Sequence, residues 1–278
     1  MKYAPSKWDP EQYLRYSDER QRPLWDLLDR VRTDPVLAAV DLGCGPGTST
    51  VAVASRWPEA QVVGIDNSQA MIDRALTPEA PLPGAERATN GDAVEPHVTY
   101  RAADIATWRP EPESLDLVLS NAALHWVPGH SDLFAGWVAA LRPGGTLAFQ
   151  VPGNFDAPSH TLLAELAASA QWRGKLSGVA GTVEAHHPLD YYRSLCDLVS
   201  DVDVWETTYC HCLQGDDPVF EWVRGTALLP YLERLNPADT SDFTSRYKAL
   251  LRSAYPKESS GETLLGFRRV FVVATKAA

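Results

Sequence analysis

The stretch Val40-Asp41-Leu42-Gly43-Cys44-Gly45-Pro46-Gly47-Thr48 restricts this chain more than any other. An apolar run from Val36 to Val40 leads into an acidic residue, then Gly-x-Gly-x-Gly, then a helix-forming run from Thr48 to Trp57. A strand-to-helix turn this tight needs backbone angles that a Cβ disfavours, and glycine lets the main chain approach a ligand closely. The helix that follows aims its unpaired N–H groups and the positive end of its dipole at the turn. The segment therefore predicts a strand–turn–helix unit that cradles a nucleotide-like cofactor.

Which cofactor depends on the surroundings of that turn. Gly-Lys-Ser/Thr is missing from it, so the loop is not a nucleoside-triphosphate P-loop. A second apolar run, Gln61 to Ile65, ends at Asp66 and Asn67, with Asp66 placed 19 residues after Gly47. A carboxylate at that strand end accepts hydrogen bonds from a ribose diol, in nicotinamide and S-adenosylmethionine (SAM) enzymes alike. Asp66 alone does not choose between them. Asp41 sits directly upstream of the glycines, where a pyrophosphate would be repelled and a methionine ammonium attracted. Asp104-Ile105 follows a short strand from Val98 to Arg101, suitably placed for the edge and face of an adenine. Leu141-Arg142-Pro143-Gly144-Gly145-Thr146-Leu147 ends a helix and opens another strand. Together these motifs resemble the class I SAM-dependent methyltransferase family. The resemblance implies SAM as cofactor and S-adenosylhomocysteine as product. It implies Asp41, Gly43, Gly45, Gly47, Asp66, Asn67, Asp104, Ile105 and Asn121 as cofactor-binding residues.

Alternation of strands (36–42, 61–66, 98–102, 115–120, 145–151) with helices (48–57, 69–76, 131–141) predicts an α/β fold with a parallel sheet and right-handed crossovers. By the family resemblance the sheet is Rossmann-like, seven-stranded and mostly parallel with an antiparallel last strand, helices on both faces and a helical cap. At 278 residues and 45% hydrophobic, the chain suits one elaborated domain spanning 1–278. Its parts are an N-terminal cap (1–30), a SAM-binding core (34–152) and a C-terminal part (153–278) with the substrate cap and last two strands. A helix is expected to begin near Ser17, with Pro23 in its first turn. Helices are also expected at 161–172, 191–199, 217–235 and 239–254, and strands at 202–213 and 267–275. The Pro- and Gly-rich stretch 77–97 reads as a surface insertion.

The formal net charge of −11 opposes a nucleic-acid or anionic-membrane partner. No apolar run has the length of a membrane span and the opening residues lack a leader-like apolar region, so a cytoplasmic protein is expected. Cys44, Cys196, Cys210 and Cys212 suggest no disulfide framework. In Cys210-His211-Cys212 the two cysteines would point to one face of a strand and the histidine to the other, and the sequence offers no second cluster, so no metal is expected. Oligomeric state is not legible.

Asn121-Ala122-Ala123-Leu124-His125-Trp126 follows the strand 115–120, so it falls at the crevice beyond the strand ends. His125 and Trp126 are candidates to meet a substrate; a capping asparagine and an aromatic anchor for the next helix is the plainer alternative. Five further segments accompany it: Trp8-Asp9-Pro10 with Tyr13, Arg20-x-Arg22-Pro23, Pro152-Gly153-Asn154-Phe155, Val204-Trp205-Glu206-Thr207-Thr208-Tyr209 and Phe267-Arg268-Arg269-Val270-Phe271. The set is similar to the trans-aconitate methyltransferase family, from about residue 7 to residue 275. That resemblance implies methyl transfer to one carboxylate of a small polycarboxylate. A protein this acidic must hold a polyanion with local cations, and bidentate arginine suits the task. The guanidinium candidates are Arg20, Arg22, Arg224, Arg268 and Arg269. Arg268 and Arg269 start an edge strand and point to opposite faces, and Arg269 is preferred. Arg22 could instead meet the SAM carboxylate. The expected substrate set is Tyr13, Arg22, His125, Trp126, Tyr209 and Arg269. A carboxylate is already ionised at neutral pH, so no acid–base residue is expected. The alternatives are another small acceptor, which would need a base, or a SAM-binding protein without catalysis.

Overall fold

The computed structural model describes residues 17–77, 97–179 and 183–278. Trp8, Tyr13 and the bulk of the 77–97 insertion lie outside the described residues, as does the side chain of Arg20. The described residues open with α1 (Ser17–Leu28), which buries Leu24, Leu27 and Leu28. Pro23 lies well inside α1 rather than in its first turn, so an intrahelical hydrogen bond is lost there.

Next come β1 (Ala38–Leu42), α2 (Thr48–Arg56), β2 (Gln61–Asp66), α3 (Gln69–Leu76), β3 (His97–Ala102) and β4 (Leu115–Asn121). Two short 3-10 turns, Leu124–Trp126 and His130–Leu133, lead into α4 (Phe134–Ala140). Then follow β5 (Leu141–Pro152), α5 (Pro158–Ala168), α6 (Arg173–Leu176), α7 (Pro188–Leu195), β6 (Asp201–Leu213), α8 (Pro218–Arg224), α9 (Leu229–Leu232), α10 (Pro237–Ala254) and β7 (Thr263–Thr275). The expected helix over 217–235 is two short ones, α8 ending before Gly225 and α9 opening at Leu229.

The sheet has seven strands in the order β3-β2-β1-β4-β5-β7-β6. Strands β3, β2, β1, β4 and β5 pair in parallel, with Ala39 opposite both Val62 and Leu117. The β7 strand runs antiparallel to β5, since Gly153 N–H donates to Arg268 and Gly144 N–H to Ala277. Thus β7 is not an edge strand as expected: β6 lies outside it. Because β1 and β4 are central and covered on both faces, their residues are buried continuously rather than in alternation.

The chain divides into two compact units. The first takes residues 20–152, 183–206 and 270–278. Its core packs Val40, Leu42, Ile65, Val118, Phe134, Trp137, Phe149, Tyr191 and Val272. The second takes residues 153–179 and 207–269 with the start of α1, and its core packs Leu163, Trp172, Trp222, Phe243, Tyr247 and Leu265. Here Tyr247 donates its hydroxyl to the Ser159 carbonyl, and Asp217 holds both Lys248 and Arg252. Residues 183–206 and 270–278 return to the first unit because they carry α7 and the halves of β6 and β7 that pack there. Among the described residues no helix is long and apolar enough to cross a membrane.

Candidate active site

The glycine turn joins β1 to α2 at the C-terminal ends of the parallel strands. Gly43 and Cys44 donate their N–H groups to the Ile65 carbonyl at 2.7 and 3.0 Å, which hangs the turn from the end of β2. Gly43, Gly45 and Gly47 all have positive φ, of 76°, 53° and 92°. Their inner surroundings differ. A Cβ on Gly43 would lie 2.2 Å from the Ala123 Cβ, and one on Gly47 would lie 2.4 Å from the Tyr100 hydroxyl. A Cβ on Gly45 would meet nothing within 4 Å. Gly43 and Gly47 are therefore packing glycines, and of the three only Gly45 has open space where a side chain would stand.

Three carboxylates surround the turn, each with its own role. Asp41 is fully buried; its Oδ2 accepts from Ser49 Oγ at 2.6 Å and Thr50 Oγ1 at 2.7 Å in α2. Its Oδ1 has no hydrogen-bond partner among the described residues. Burial pushes the Asp41 pKa up to about 6 against the pull of those two hydroxyls, and the nearby Asp66 charge adds to the rise. Asp41 thus lies fully buried beneath the turn, with one carboxylate oxygen held by α2. Asp66, at the end of β2, accepts from Gly45 N–H at 3.0 Å and Ser68 N–H at 2.8 Å. Asp66 is half-buried and the neighbouring Asn67 is exposed. Asp104 is exposed, and its Oδ1 accepts from Ala106 N–H at 2.9 Å. Beside it Ile105 is buried, its Cδ1 3.5 Å from where a Gly43 side chain would begin.

At the end of β4, Asn121 accepts from Gln150 Nε2 at 2.5 Å. Ala122 takes φ of 55°, which is uncommon for a residue with a Cβ and brings Ala123 against Gly43. His125 follows, 5% exposed, its ring centroid 4.8 Å from that of the half-buried Trp126. The described cofactor candidates thus converge at the ends of four adjacent strands in the first unit, with His125 and Trp126 on the next turn.

The other substrate candidates lie on other elements. Arg22 is exposed on α1. Tyr209 on β6 is buried in the second unit. Arg269 on β7 is 7% exposed there, its guanidinium carbon 4.7 Å from the centre of the Phe267 ring. Arg268 points the other way and donates to the Gly153 carbonyl, which makes it a structural clamp. Arg224 forms an exposed ion pair with Glu221. At Cys210-His211-Cys212 both thiols are exposed and His211 turns inward, 4.6 Å from the Trp222 ring.

Two groups of residues escaped sequence reasoning. Tyr100 of β3 fills the space under Gly47 and Gly64, and burial raises its pKa to about 12. A single tyrosine in an edge strand carries no motif. His130, Glu184, His186 and Tyr191 form a hydrogen-bonded cluster beside the His125 turn. Their separation in sequence leaves no spacing to read.

The residues present fit SAM. Of the turn's three glycines only Gly45 has open space where a side chain would stand, the first N–H groups of α2 are uncapped by any side chain, and the Asp41 carboxylate is buried beneath the turn. A parallel sheet with a glycine turn after β1, acidic ends to β2 and β3, and an antiparallel β7 inserted beside β5 defines a class I SAM-dependent methyltransferase fold. A family profile described as a methyltransferase domain matches residues 39–145. Among solved structures, the Bacillus subtilis protein YcgJ aligns with a TM-score of 0.58 at 13% identity, over 93% of this chain and 99% of its own. A Haemonchus contortus phosphoethanolamine N-methyltransferase in complex with S-adenosylhomocysteine aligns with a TM-score of 0.53 at 17% identity, over 92% of this chain and 53% of its own. At such identities these neighbours bear on the fold alone.

Sequence relatives are more specific. Trans-aconitate 2-methyltransferase of Streptomyces avermitilis is 48% identical over the whole of both chains. The enzyme of that name from Streptomyces coelicolor is 50% identical over 98% of this chain and 88% of its own, and that from Mycobacterium tuberculosis is 40% identical over 96% of each. The chain belongs to the trans-aconitate 2-methyltransferase family.

Proposed function

We propose that this protein transfers the methyl group of SAM to one carboxylate of trans-aconitate, giving the monomethyl ester and S-adenosylhomocysteine. The observation that carries the acceptor is identity of 40–50% extending end to end, through residues 153–278 as well as through the glycine turn. SAM, when bound, supplies an electrophilic methyl on a sulfonium. A new carbon–oxygen bond forms as the carbon–sulfur bond breaks, and no proton moves, because a carboxylate with pKa near 4 is already ionised. The chain therefore needs no general base; its work is to position the reactants and exclude water.

Gly45 and the start of α2 would receive the methionine part, with Gly43 and Gly47 shaping the turn and Asp41 acting through its charge from below. Asp66 and Asn67 would hold the ribose, Asp104 and Ile105 the adenine, and Asn121 the cofactor's inner rim. His125 and Trp126 would border the acid. Arg269 would bind a carboxylate that is not methylated, with Tyr13, Arg22 and Tyr209 completing the substrate set.

Incubation of the pure protein with SAM and trans-aconitate should yield the monomethyl ester by mass spectrometry, above a control without enzyme. No ester from trans-aconitate, with turnover of other acids in a panel, would remove the named acceptor. SAM binding without transfer to any acid would favour the non-catalytic alternative.

A further inference from the structure

We infer that Glu184 is a positioning residue that fixes the turn carrying His125 and Trp126, through its carboxylate as well as its backbone. The inference rests on the reading above that this turn borders the acid. Glu184 meets the turn at two points: its N–H donates to the His125 carbonyl at 2.9 Å, and its Oε2 accepts from Gly129 N–H at 2.6 Å. Gly129 lies at φ 70°, where the chain reverses between the two 3-10 turns. The other carboxylate oxygen, Oε1, is 2.9 Å from His186 Nε2, which aligns the carboxylate from the far side.

A second tie holds the same turn from beneath. His130 is fully buried, with Nδ1 3.1 Å from the Val127 carbonyl and Nε2 2.9 Å from the Tyr191 hydroxyl. A carbonyl only accepts, so Nδ1 carries the proton and Nε2 accepts from Tyr191. Burial supports that state twice, lowering the His130 pKa and raising that of Tyr191, so the ring stays neutral and the phenol protonated. The Tyr191 oxygen in turn accepts from His186 N–H at 3.3 Å. Tyr191 is itself locked in the core against Phe134 and Phe149. Residues 125–130 are thus clamped between the 183–187 segment and α7. Glu184 supplies the contacts next to His125.

The ligand atoms of His130, Glu184 and His186 lie within 4.8 Å of one another, so a cation is the rival occupant. It would have to displace the Tyr191–His130 hydrogen bond. The network is therefore assigned to positioning.

The experiment compares Glu184→Ala, Glu184→Gln and His125→Ala with the wild type in full steady-state kinetics, alongside SAM affinity by calorimetry. Both Glu184 variants keep the backbone bond to His125, so the carboxylate alone is tested. Glu184→Ala is expected to raise the KM for trans-aconitate at least tenfold and to leave the SAM Kd within twofold. Glu184→Gln, whose amide oxygen still accepts from Gly129, is expected to recover to within threefold of wild type. Unchanged acid KM in Glu184→Ala, with a rise in His125→Ala, would overturn the inference and leave the reading of the turn standing. Unchanged KM in both would remove that reading and the inference with it. A parallel loss of SAM affinity in Glu184→Ala would mark a merely structural role. Stoichiometric Zn2+ binding to the wild type, abolished by His186→Ala, would overturn positioning in favour of a metal centre.

Discussion

Asp41 shows how a single side chain can be costly to the fold and useful to the site. Below about pH 3.8 it is protonated whether the chain is folded or not, so it contributes nothing to the balance. Between about 3.8 and about 6 the folded protein keeps a proton that the unfolded chain releases, so stability falls as pH rises. Above about 6 the penalty is complete, of the order of 3 kcal/mol for a shift of this size. Asp41→Asn is expected to raise Tm clearly at pH 7.5 and much less at pH 4.5, while weakening SAM binding. Thermal melts at the two pH values check the first part; a Tm difference independent of pH would contradict the shift. Asp66 is exposed enough to meet a ligand and also anchors Gly45 and Ser68. Asp66→Ala is expected to weaken SAM by about 1.5–3 kcal/mol, the worth of hydrogen bonds to a charged group. Calorimetry showing unchanged SAM affinity would remove Asp66 from the site.

At the scale of elements, the β1–α2 turn separates the uses of its glycines. Gly47→Ala combines a left-handed φ with a clash against Tyr100, so it is expected to destabilise the protein by more than the about 1–2 kcal/mol of backbone strain alone. Tyr100→Ala in the same chain should return part of that loss by removing the clash. Gly45→Ala meets open space and carries only the backbone term, yet places a methyl where the cofactor should approach. It is expected to lower SAM affinity far more than Tm, the reverse of Gly47→Ala. Melting curves and SAM titrations of both variants test this; identical profiles would mean that the two glycines face the same surroundings. The elements themselves were largely legible, because periodicity and punctuation are local. β2 and α3 occupy the expected spans 61–66 and 69–76. The expected helix 131–141 instead opens as a 3-10 turn and yields Leu141 to β5, where Leu141 pairs with Leu115. That pairing belongs to the sheet and not to the segment's own propensity.

For the whole molecule, the governing fact is a charge of −11 set against a polyanionic acceptor. Long-range steering opposes binding, so affinity must come from few, well-placed cations. Arg269 is buried and its guanidinium carbon lies 4.7 Å from the centre of the Phe267 ring, and a planar guanidinium suits bidentate binding of a carboxylate. Arg269→Ala is expected to raise the KM for trans-aconitate by tenfold or more, with a much smaller change in the KM for SAM. Arg269→Lys should rescue only part, since an ammonium lacks the bidentate fork. Equal effects on both substrates would place Arg269 outside acid binding.

The sequence alone determined the glycine turn, the acidic ends of β2 and β3, the alternation that makes a parallel sheet, and the family. Each is set by residues adjacent in the chain, through allowed backbone angles and the periods of strand and helix. Only the tertiary structure decided that Asp41 is sealed under the turn by Ser49 and Thr50, that β7 lies inside β6, and that Tyr100 props Gly47. The tie from Glu184 to a turn more than fifty residues earlier is of the same kind. Burial and hydrogen bonding between distant segments depend on which elements meet, and that is a property of the packed chain rather than of any stretch of it.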